Sequence, residues 1–267
     1  MPGPLPAFLE NYPDITLLLS ELLAGMQEIL KERLIGVYLE GSLANGGFDT
    51  ASDVDFLSVT SEPVDENTFR ALYALHERLA SFPTPWAVEL EGSYLPLSFL
   101  QRFDPEQRFH PNLERGREER LKIADHDEGW WTIHRHILYH RGIGLYGPEP
   151  HTLFTPPAPE DLKHAMRVVL AEWAQGLVEN PQKMNSRGYQ SYVVLSLCRI
   201  LYTLTHGEVV PKPHAMHWAL TTLDPRWHGL IQSAWEGRMN PRGTPAADEL
   251  YKTVAFIREV MARAGMM

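Results

Sequence analysis

Cysteine is almost missing from this chain. Cys198 stands alone among 267 residues, so no internal disulfide can form, which suits a reducing cytoplasm. Positive charge is scarce as well: 24 Lys and Arg face 34 Asp and Glu, for a formal net charge of −10. That balance argues against bulk nucleic-acid binding, which needs a basic face. It leaves room for a small polyanion, held by a few local cations or by a metal. Long apolar runs are missing too. The first 30 residues carry acids where a leader would be basic, and Ser20, Glu21 and Glu28 interrupt the leucines, so neither a signal peptide nor a membrane span is expected. No internal repeat or low-complexity tract stands out. What is present, 44% hydrophobic and 22% charged residues, is ordinary for a soluble globular protein with length for one large domain or two modest ones.

Leu18, Leu22, Met26 and Leu30 recur at helical spacing and predict an amphipathic helix over residues 14–34. Short β-rich runs at 34–39 and 54–59 predict two strands, a helix is expected over 66–79, and 86–95 alternates as a third strand. Residues 103–119 are polar and proline-broken and read as a loop, 130–140 as a helix, and 142–148 as a short strand and turn. Alternating strands and helices imply an α/β (α+β) domain with a mixed sheet. After the proline-rich stretch at 155–159 only helical patterns remain, at 159–179, 189–206, 212–222, 226–237 and 246–264, separated by Asn-Pro, His-Gly and Asp-Pro punctuation. The expected organisation is an α/β domain over 1–156 and an all-α helical bundle over 157–267.

Residues 40–60 read EGSLANGGFDTASDVDFLSVT. Alternation along a strand turns Asp53 and Asp55 to one face, roughly 7 Å apart by strand rise. Like charges so placed repel unless a cation sits between them, and a hard divalent ion such as Mg²⁺ takes one or two carboxylates together with substrate phosphates. Glu89 and Glu91 share one face of the expected third strand, and either supplies a third carboxylate. Gly41 lets the backbone approach a ligand closely, and Ser42 at a following helix start offers a hydroxyl and an N–H to a phosphate.

Gly41-Ser42, then Ser52-Asp53-x-Asp55, then a glutamate on a later strand resembles the DNA polymerase β-type nucleotidyltransferase superfamily. The second half narrows this. VVLSLCRILY at 193–202, GEVVPK at 207–212 and WA at 218–219 resemble the helical domain of streptomycin/spectinomycin (aminoglycoside) adenylyltransferases, with Glu208 standing where that pattern has a lysine. The resemblance implies ATP as co-substrate and Mg²⁺ held by Asp53, Asp55 and Glu91, with Gly41, Ser42, Ser52, Arg199, Lys212 and Trp235 on the nucleotide. Family spacing favours Glu91 over Glu89 as the base. It further implies transfer of AMP to a hydroxyl of a small acceptor, aminoglycoside-like among the candidates, with pyrophosphate released and the site in a cleft between the domains.

Where those enzymes grip a cationic drug with an acid, this chain has Tyr189, Gln190 and Tyr192; Glu172, Glu179 and Asp127 are the other acids that could offset ammonium charge. His136 and His140 have zinc-like spacing and lie near His134, but no H-E-x-x-H and no nearby cysteine accompany them, and packing is the simpler role. Core packing is likewise the simpler role for Trp130 and Trp131, with lining of an acceptor pocket as the alternative. Two other functions remain open: a nucleotidyltransferase acting on a protein or tRNA, and a non-catalytic nucleotide sensor or antitoxin-like protein. A monomer or weak dimer, cytoplasmic and without a membrane partner, completes the expectation.

Overall fold

The computed structural model describes residues 5–116, 120–246 and 248–266. The ends of both expected domains, the last residues of the expected 103–119 loop, and residue 247 within the expected last helix lie outside this range. The chain divides into two compact units at Pro156/Pro157.

The first unit is built on a six-stranded mixed sheet in the order β5-β4-β3-β2-β1-β6. Its strands are β1 (Leu34–Leu39), β2 (Val54–Thr60), β3 (Leu90–Pro96), β4 (Phe109–Leu113), β5 (Leu121–Asp125) and β6 (Ile143–Tyr146). Only β2 and β3 run parallel; the other neighbours are antiparallel. A parallel pair needs a crossover, and α3 (Glu66–Ala80) supplies it between β2 and β3. Asp65 caps α3 by accepting the Thr68 N–H, a bond that holds its carboxyl down at about 2.

Period-two alternation assigns the two sheet faces. Val37, Leu39, Val54, Phe56, Leu90 and Tyr94 join the buried leucines of α1 (Pro13–Leu30) and α3 in one core. Tyr38, Leu57, Val59 and Leu95 point to the other face and pack with Phe99 and Leu100 of α4 (Leu97–Gln101) and Leu138 of α5 (Glu128–Arg141). A four-residue helix, α2 (Gly41–Ala44), follows β1 directly.

The second unit holds α6 (Pro159–Glu179), α7 (Arg187–His206), α8 (Lys212–Thr222), α9 (His228–Met239) and α10 (Glu249–Arg263). α7 is its centre, packed against the other four. Val193, Val194, Leu195, Leu197 and Cys198 are all buried, and burial pushes the Cys198 thiol up to about 12. Among the described residues no helix is long and apolar enough to cross a membrane.

The expected mixed-sheet α/β architecture followed by helices is what the structure shows. Two details differ. The 86–95 run is not one strand: Pro85–Val88 forms a 3-10 turn and pairing begins at Leu90, leaving Glu89 outside the strand. The polar loop read over 103–119 contains β4, and β5 follows it. Both are short strands at the sheet edge, β4 carrying a proline and β5 mostly solvent-facing, so neither shows a clean alternation.

Candidate active site

The sheet register brings the acids together. Asp55 on β2 pairs with Glu91 on β3, and the Glu40 N–H just past β1 donates to the Asp55 carbonyl at 3.0 Å. Asp53, one residue before β2, points to the Asp55 side because Val54 and Phe56 occupy the opposite core. Carboxylate oxygens of Asp53, Asp55 and Glu91 lie within 4.8 Å of one another, and all three side chains are half-buried. Burial, and then the Asp53 charge, push the Glu91 carboxyl above its ordinary value, while Arg115 pulls it the other way. A donor set made only of carboxylate oxygens fits a hard divalent cation. None of the histidines belongs to this cluster.

Gly41 sits at φ +62°, and a Cβ there would collide with Asp55 Oδ2, so the turn needs glycine for its conformation and for its closeness to the acids. Next to it the Ser42 hydroxyl is buried without a hydrogen-bond partner, which leaves it available to a ligand oxygen. The Ser52 hydroxyl accepts from the Asp49 N–H at 3.0 Å and donates to Asp49 Oδ1 at 3.2 Å, shaping the turn that delivers Asp53. Glu89 lies outside the trio, at the C-terminal cap of the 3-10 turn, with its carbonyl accepting from Val54 N–H at 2.9 Å.

In the helical unit, Arg199 lies half-buried on α7, Lys212 opens α8 with its ammonium 5.3 Å from the Tyr192 ring, and Trp235 lies on α9 with the Arg238 guanidinium 5.7 Å from its ring. Glu208, at the departure from the lysine pattern, accepts from the Tyr202 hydroxyl at 3.0 Å. Gln190 is buried and spends its amide on the Met184 carbonyl, whereas Tyr192 is 47% exposed and stacks on Tyr189. Asp127 caps α5 through the Trp130 N–H, and Glu179 accepts from Gln175.

Two buried charged residues, Glu40 and Arg120, carry no local signal in the sequence. Glu40 is buried; its Oε2 lies 3.0 Å from His134 Nδ1, and its Oε1 is buried without a partner. His134 stacks on Trp130, whose edge meets His126, which in turn bonds Ser93 at 3.0 Å. Trp131 instead packs, donating to the Phe99 carbonyl at 2.5 Å with Arg135 over its ring. Arg120, 1% exposed, donates to the carbonyls of Ala87, Leu90 and Glu114 and so ties the entrance of β3 to the turn between β4 and β5. Only proximity in the fold marks Glu40 and Arg120.

Comparisons with known proteins match both units. A nucleotidyltransferase domain model covers residues 19–122, and an aminoglycoside adenylyltransferase C-terminal domain model covers residues 152–263. Among curated proteins, an aminoglycoside (3'') (9) adenylyltransferase of Escherichia coli is 26% identical over 257 residues, covering 92% of this chain and 94% of the relative. A spectinomycin 9-adenylyltransferase of Staphylococcus aureus is 26% identical over 222 residues, covering 79% and 80%. A crystal structure of spectinomycin adenyltransferase AAD(9) from Enterococcus faecialis with ATP and spectinomycin has the same fold, with TM-score 0.68 at 17% identity over 93% of this chain and 98% of that one.

Proposed function

We infer that the chain is a member of the nucleotidyltransferase family, and that it is an adenylyltransferase moving AMP from ATP to a hydroxyl of a small, aminoglycoside-like acceptor. One observation carries the reading: Asp53, Asp55 and Glu91 converge beside a turn that tolerates only glycine and presents a buried, unpartnered Ser42 hydroxyl. The two domain models and the named adenylyltransferase relatives support it.

Asp53, Asp55 and Glu91 would hold a divalent cation, Mg²⁺ in our reading, which when bound neutralises phosphate charge. The Gly41-Ser42 turn supplies a hydroxyl and a close backbone to the phosphates. Arg199 and Lys212 add positive charge that an acidic protein otherwise lacks, and Trp235 offers a face to the base. Glu91 accepts the proton of the acceptor hydroxyl. The acceptor oxygen bonds to the α-phosphorus as the bond to the bridging oxygen breaks, and pyrophosphate leaves. Positioning and charge neutralisation supply most of the acceleration.

Acceptor chemistry is proposed from the relatives, whose names specify aminoglycosides and spectinomycin. In this chain the drug-gripping acid is replaced by the Tyr189/Tyr192 stack, so an acceptor of fewer positive charges, or one that meets aromatic faces, suits it better. The test is pyrophosphate release from ATP and Mg²⁺ across a panel of aminoglycosides and spectinomycin, wild type against Asp53→Asn. Release that depends on one acceptor and vanishes in the variant supports the reading. ATP binding without release for any acceptor would redirect it to another substrate.

A further inference from the structure

Arg115 lies on the turn between β4 and β5, and its guanidinium reaches three acids at the mouth of β2 and β3. Nη1 is 3.9 Å from both Asp53 Oδ2 and Glu89 Oε2, and Nε is 3.6 Å from Glu91 Oε1. The Arg115 backbone N–H also donates to the Glu91 carboxylate. Its main chain is fixed on both sides: Glu114 N–H donates to the Arg120 carbonyl at 2.9 Å, and Gly116 N–H to the Val88 carbonyl at 2.8 Å. The side chain is 57% exposed and is held by charge alone, because all three approaches exceed the 2.7–2.9 Å of a strong N⁺–H···O⁻ bond. A pinned backbone with a loosely held, solvent-reaching guanidinium describes a cation that stays local and can swing away.

We propose that Arg115 is an internal counter-ion of the carboxylate cluster, which yields that place when a divalent cation arrives and turns its guanidinium to the nucleotide's polyphosphate. Asp53, Asp55, Glu89 and Glu91 crowd one corner of the sheet and repel one another when no cation is near. A guanidinium relieves that repulsion without closing the site. A dication entering the same carboxylates repels the guanidinium, and loose, exposed ion pairs cost little to break. The planar fork of arginine then matches phosphate oxygens bidentately, a better partner than three distant carboxylates. This inference rests on reading the cluster as the metal–nucleotide site.

The two roles have opposite signs, which separates them from simple structural damage. Titrating Mn²⁺ calorimetrically into the full chain without nucleotide should show Arg115→Ala binding the ion about tenfold more tightly than wild type, the order set by one positive charge several ångströms from a dication in a solvent-like dielectric. The gap should narrow as salt rises, and Arg115→Lys should fall between. Titrating the non-hydrolysable analogue AMP-PNP with Mn²⁺ should show the reverse, weaker binding by Arg115→Ala. Equal or weaker Mn²⁺ binding by Arg115→Ala would overturn the counter-ion role, and undiminished nucleotide binding would overturn the phosphate role. If neither protein binds Mn²⁺ with or without nucleotide, the metal-site reading itself is lost.

Discussion

At the scale of single residues, a small error in one side chain is enough to disable this site. Asp53→Asn and Glu91→Gln keep size and shape while removing one negative charge each from a cluster whose oxygens lie within 4.8 Å. Pyrophosphate release should fall by about 10²–10³-fold in either variant, the scale of losing one electrostatic or proton-transfer partner, with the thermal midpoint unchanged or raised as repulsion drops. Gly41→Ala tests the same centre sterically. Its methyl would meet the Asp55 carboxylate at a backbone conformation that L-residues resist, so activity should be lost while far-UV circular dichroism stays native. These residues were legible in the sequence because each belongs to a short pattern with a chemical reason: a glycine at a close approach, two acids at alternate strand positions, a third on a neighbouring strand. Glu40, Arg115 and Arg120 were not legible. Each acts through a partner 6 to 94 positions away, and no local spacing encodes such a meeting.

At the scale of elements, the strongly periodic segments were readable and the sheet edge was not. α1, α3 and α7 bury whole apolar faces, so their spacing follows the helix; β4 and β5 bury little and borrow their geometry from β3. What holds that edge is polar. Arg120→Leu keeps a long side chain but strips donors from the carbonyls of Ala87, Leu90 and Glu114, so chemical denaturation should show a loss of about 2–4 kcal/mol. Edge and core also share buried histidines. Burial lowers His76 on α3, bonded to Tyr94, to about 3, and His110 on β4 and His126 before α5 to about 4. In the unfolded chain these groups take up protons near their ordinary 6.5, while the folded protein leaves them neutral. Stability is therefore complete above pH 6.5 and is lost progressively as pH falls toward 4 and 3. A thermal midpoint measured from pH 7.5 to 4.5 should decline most below 6.5, and His76→Gln should decline less steeply; a flat profile in the wild type would contradict the neutral, buried state.

At the scale of the whole molecule, an acidic chain of net charge −10 is expected to bind a highly charged anion, and it can do so by concentrating its cations or by holding a metal. We propose that the nucleotide draws on Arg199, Lys212 and Trp235 of the helical unit as well as on the acids of the sheet unit, so ligand binding should stabilise the chain in full only when both sets are intact. Adding ATP with Mg²⁺ at about 100 times the dissociation constant should contribute about 2.7 kcal/mol. For a chain of this length that is about 5–10 °C in the thermal midpoint. Asp53→Asn/Asp55→Asn should abolish the shift by removing the metal ligands. Arg199→Ala and Lys212→Ala should each reduce it while leaving the ligand-free midpoint close to wild type, because both side chains are only half-buried. The ligand-free midpoint is what separates binding from folding: Arg199 on the central α7 is the substitution more exposed to a structural cost, and Lys212 at the start of α8 the less. A full shift retained in both variants would confine nucleotide binding to the sheet unit and withdraw the helical residues from the site, leaving the acceptor as the ligand their unit has to offer.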